Sequence, residues 1–112
     1  MATVKRALLA LPLIGATLAG ACGGSAIPEP SAADASRGAA HFPDVTLAEL
    51  AHGRTLYVSR CGSCHVLKRP MELPAEQWAG EVNEMRVKNG VKLSDAEAQA
   101  ISRYLFVAAT SG

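Results

Sequence analysis

Large rings are scarce in this chain. Its 112 residues include one Trp, two Tyr and two Phe, although 49% of them are hydrophobic. One small domain is the ceiling, and it has few big side chains for a self-sufficient core. An excess of charge is missing too. The formal net charge is +1, with no basic run, which excludes a nucleic-acid protein on electrostatic grounds. No stretch alternates polar and apolar residues as a half-buried strand does. The one closely spaced cysteine pair, Cys61 and Cys64, has neither a second C-x-x-C nor an H-x-x-x-H to complete a tetrahedral zinc set. The uncharged run over residues 7–21 falls short of the roughly 20 residues that span a bilayer.

What that run does fit is export. Lys5 and Arg6 precede it, and small residues close it, so residues 1–21 are expected to be a secretory signal. The segment LAGAC, residues 18–22, resembles the lipobox of bacterial lipoproteins. That resemblance implies a lipid on Cys22 and a membrane anchor, with the outer membrane favoured because no Asp follows the cysteine. The alternative is plain cleavage after Ala21 and a soluble periplasmic product. Residues 22–45 are rich in Gly, Ser, Ala and Pro and are expected to form a flexible tether with an end-to-end distance of about 25 Å.

The folded unit is expected over residues 46–112, all-α. Thr46 and Glu49 have the spacing of a capping box, opening a helix to about Ser59 with Leu47, Leu50, Leu56, Tyr57 and Val58 as its apolar positions. Gly53 inside it suggests a second helix crossing at close range. A helix over about 75–89 places Trp78, Val82 and Met85 on one face, with Gly90 as its stop. Ser94 and Glu97 form another capping box, opening a helix to about Ala108 with Ala98, Ile101, Tyr104, Leu105 and Ala108 turned inward.

Cys61-Gly62-Ser63-Cys64-His65 decides the chemistry. A redox dithiol normally follows a strand, and none precedes this one. Covalent haem attachment needs only what is present: two thiols for the two vinyl groups, and the next residue as proximal imidazole. Export agrees, because bacterial c-type haem is attached after translocation. One haem also accounts for the thin core, since three helices can wrap it.

With GRTLYVSRCGSCH (53–65), WAGEVNEM (78–85) and GVKLSDAEAQAISRYL (90–105), the chain resembles the small class I cytochromes c. The resemblance implies three main helices around one covalent haem c, held by Cys61 and Cys64, with His65 as proximal ligand and Met85 as candidate distal ligand. Met71, His52, His41 or an open position are the alternatives at the distal face. It further implies that a Pro70 or Pro74 carbonyl holds the His65 Nδ1–H. Trp78 is expected either to donate to a propionate or simply to pack. Lys68 and Arg69 are expected at propionates, in a docking patch, or in a solvated turn. The expected role is that of a non-enzymatic electron carrier between periplasmic or membrane redox partners. A haem-based gas sensor and a cytochrome subunit of a periplasmic dehydrogenase are the alternatives.

Overall fold

The computed structural model describes Gly15 and residues 26–111. Among these there are four α-helices and no strand: α1 (Ala32–Gly38), α2 (Leu47–Leu56), α3 (Trp78–Val87) and α4 (Asp95–Ala109). A π-helical turn, Tyr57–Cys61, extends α2 into the cysteine motif. Two short 3-10 turns, Pro70–Glu72 and Ala75–Gln77, lead into α3.

Helices α2 and α4 cross as the backbone of the domain. Gly53 makes the crossing possible. A Cβ there would lie 2.1 Å from the Ala100 carbonyl oxygen and 2.9 Å from the Tyr104 Cβ. The five inward positions expected on α4 are all buried, and Leu50, Ile101 and Leu105 are fully enclosed. Leu47 and Val58 are not part of this core; both are exposed.

Local signals set the helix ends. Ser94 accepts from the Glu97 N–H at 3.1 Å, and Glu97 accepts from the Ser94 N–H at 3.0 Å, so this capping box is complete. At Thr46 only half of the box forms. Its hydroxyl accepts from the Glu49 N–H at 3.0 Å, while the Glu49 carboxylate turns to Arg103 at 3.1 Å. Gly90, at φ 66°, ends the α3 region as expected.

The expected tether is overturned over residues 27–45. Ile27 is buried; its carbonyl accepts from Arg54 Nε at 3.0 Å, and the Pro28 carbonyl accepts from the Tyr104 hydroxyl at 2.5 Å. Helix α1 is capped by Ser31, which exchanges hydrogen bonds with Asp34, and Gly38 lies against Val107 and Val45. Phe42 meets Phe106 edge-on at 5.2 Å, and Arg103 stacks 5.1 Å above Phe42 while pairing with Asp44 at 3.2 Å. The physical reason is α4, whose outer side carries Phe106 and Val107. Residues 27–45 cover that side, so their modest hydrophobic content is enough.

Burial pushes the Tyr104 phenol up to about 12, from about 10 in an unfolded chain. The protonated, hydrogen-bonded form is therefore favoured by folding. That stabilisation is complete below pH ~10 and is lost as pH rises through ~12. Unfolding free energy should decline over this interval, and Tyr104→Phe should flatten the decline in pH-resolved denaturation. An unchanged slope in the variant would contradict the assignment. Tyr57, also raised to about 12, contributes over the same interval.

Candidate haem site

The π-helical turn directs Cys61 inward, where it is buried, whereas Cys64 is exposed. Cys61 and His65 line a cleft of about 230 Å³ with Tyr57, Trp78, Val82 and Met85, and Leu93 and Leu105 contribute to its walls. Cys64 is outside that lining. Its sulfur lies 3.9 Å from the Ser63 hydroxyl. Burial, and then the neighbouring Cys64 thiol, push the Cys61 thiol above its ordinary value.

Hydrogen bonds fix the groups around the cleft. His65 Nδ1 is 2.9 Å from the Val66 carbonyl. A carbonyl only accepts, so Nδ1 carries the proton and Nε2 keeps the lone pair a metal needs. The sequence pointed to Pro70 or Pro74 for this bond; the adjacent residue makes it instead. The Pro70 carbonyl accepts from Trp78 Nε1 at 2.8 Å. Trp78 is thus packed and satisfied within the protein, its ring edge-on to Tyr57 at 6.0 Å. The Tyr57 hydroxyl donates to the Lys68 carbonyl at 2.7 Å. These two bonds from buried rings hold the 66–72 segment in place.

The distal candidates separate clearly. Met85, half-buried on α3, is in the cleft lining with Cys61 and His65. Met71 is 65% exposed and lines a different groove with Ala26, Pro28 and Ala108. His52 is exposed on α2, and His41 rests on Phe106 at 4.8 Å. Lys68 reaches Glu81 at 3.8 Å and Arg69 reaches Glu72 at 3.8 Å, so both basic side chains have acidic partners in the protein.

Two residues escaped the sequence reading. Arg60, directly before Cys61, donates to the Lys92 carbonyl at 2.8 Å and pairs with Glu97 at 3.4 Å. This braces the cysteine turn against the loop between α3 and α4. Asn89 Nδ2 lies 3.5 Å from Met85 Sδ. Its spacing of four residues from Met85 was visible, but nothing local showed that the side chain folds back.

The donor set fits a haem: one imidazole with Nε2 free, one thioether, and a buried thiol on an apolar wall. An all-α domain with C-x-x-C-H at the edge of such a cleft defines a c-type cytochrome. The family comparison agrees. The model of the Dihaem cytochrome c family matches residues 57–112, half of the chain, and the chain belongs to that family. No curated protein and no solved structure matches it. The family's description counts two haems, and this sequence contains one C-x-x-C-H.

Proposed function

We propose that this chain binds one haem c, through Cys61 and Cys64, with His65 and Met85 as axial ligands, and carries single electrons between redox proteins at a periplasmic membrane surface. The placement of Cys61, His65 and Met85 around one apolar cleft is the observation that supports it. Bound haem supplies an iron that gains or loses one electron. The chain supplies an imidazole held by its Nδ1–H, a thioether that favours the reduced state relative to a second imidazole, and walls that limit water. Were His65 and Met85 both to ligate the iron, no position would be left for substrate, which favours a carrier over an enzyme.

The anchor at Cys22 belongs to the same proposal, with a shorter reach than the sequence suggested. Cys22 is five residues before buried Ile27, and five Cα–Cα steps extend to at most about 19 Å. The domain is therefore held close to the lipid surface. Fractionation with lipid labelling tests this; equal solubility and no label in wild type and Cys22→Ser would refute the anchor.

The iron site is tested by spectroscopy. Wild-type holoprotein should keep its haem through acid–organic extraction, show a low-spin spectrum in both oxidation states and fail to bind carbon monoxide. Met85→Ala should bind it readily. Carbon monoxide binding as tight in wild type as in Met85→Ala would instead favour a gas-binding protein.

A further inference from the structure

The geometry points to Asn89 as a positioning residue for the Met85 thioether, an inference that rests on Met85 as the distal ligand. The turn after α3 is built to bring the two together. The Lys88 N–H bonds the Glu84 carbonyl at 2.8 Å, Gly90 then reverses the chain at φ 66°, and the Val91 N–H returns to the Met85 carbonyl at 3.1 Å. This places Asn89 one helical turn from Met85, with Nδ2 at 3.5 Å from the sulfur. Arg60 holds the same loop through the Lys92 carbonyl at 2.8 Å. The residue before Cys61 thus braces the turn that carries Asn89.

A methionine side chain has three rotatable bonds and is a poor positioning element by itself. A thioether sulfur has two lone pairs. If one accepts the Asn89 N–H, the side chain is restrained and the other remains for iron. A restrained thioether would stay at the iron, where it favours the reduced state over the oxidised one. Asn89 should therefore raise the reduction potential and protect the distal position from competing ligands. A hydrogen bond worth about 1 kcal/mol net corresponds to about fivefold in ligand competition.

The experiment uses the full holoprotein with Asn89→Leu, of similar size without a donor, and Asn89→Gln, which retains one. Midpoint potential, imidazole affinity of the oxidised form and thermal unfolding are measured together. Asn89→Leu should lower the potential and bind imidazole about fivefold more tightly, with an unfolding temperature close to wild type. Asn89→Gln should return both values toward wild type. On a Met85→Ala background, Asn89→Leu should leave imidazole affinity unchanged, since the coupling runs through the sulfur. Wild-type potential and affinity in Asn89→Leu would overturn the inference, as would an effect that persists without Met85. A Met85→Ala protein with an unaltered spectrum would refute the ligand assignment itself and this inference with it.

Discussion

Gly53→Val is expected to unfold the domain or lower its unfolding temperature by about 15 °C or more. Even the first added carbon, Cβ, would sit 2.1 Å from the Ala100 carbonyl oxygen and 2.6 Å from its carbon. These are backbone atoms and cannot rotate away. Helices α2 and α4 would have to separate, opening the enclosure of Leu50, Ile101 and Tyr104. Overpacking costs about 1–3 kcal/mol and occasionally more, and a clash with backbone atoms belongs at the upper end, against a total of about 5–15 kcal/mol for a whole domain. In a domain of this size each kcal/mol is worth about 4–8 °C. Gly53→Ala should show the same effect in smaller measure. Gly80 is the control, because a Cβ there meets nothing within 4 Å, so Gly80→Ala should be neutral or slightly stabilising. Thermal melts of the three variants decide the matter; a Gly53→Val protein melting with wild type would refute the close crossing.

The second large effect concerns Cys61 and Cys64, the thiols proposed to bind haem. The double variant Cys61→Ala, Cys64→Ala should be recovered without covalent haem, and most of its helical circular dichroism should be lost. The cleft of about 230 Å³ between α3, α4 and the cysteine turn is where the missing core belongs. Without haem this apolar cleft stays open to water, and so small a domain has little stability to spare. The mass of denatured wild type should exceed the polypeptide by one haem, and that of the double variant should not. A haem-free double variant that melts cooperatively with wild-type helicity would show that residues 27–45 and the α2–α4 core suffice without the cofactor. His65→Ala separates attachment from ligation: it should retain covalent haem where maturation succeeds and lose the low-spin spectrum.

The covering of α4 by residues 27–45 changes how the chain presents its haem. Ile27 and Pro28 are tied to Arg54 and Tyr104 by hydrogen bonds to their carbonyls. With the proposed anchor at Cys22, a domain joined through this segment would not sweep a wide shell. Under that proposal, lengthening the chain between Cys22 and Ile27 should alter electron delivery to membrane partners without altering the spectrum. Among the described residues no helix is long and apolar enough to cross a membrane.

The sequence by itself determined whatever depends on neighbours along the chain. Ser94 and Glu97 are three apart and form their box because both groups belong to one helical turn. Gly90 stops α3 because a positive φ is cheap only for glycine. Cys61, Cys64 and His65 stand in one short motif whose spacing and helical flanks read as a haem attachment site, and the face carrying Trp78, Val82 and Met85 follows from the helical period. Gly53 announced a crossing, though not that Ala100 would be the residue opposite it. Tertiary structure decided what joins distant segments. Tyr104 bonds the carbonyl of Pro28, 76 residues away, and Arg103 gathers Asp44, Glu49 and Phe42. No local pattern marks those pairs, so residues 27–45 read as loose when they are packed. Trp78 and His65 could each have had several partners; the path of the 66–72 segment gave the Pro70 carbonyl to one and the Val66 carbonyl to the other. The physical reason is range. Caps, turns and periodicity act within about one helical turn, whereas the partner of a buried polar group is chosen by whichever backbone the folded chain brings within hydrogen-bonding distance.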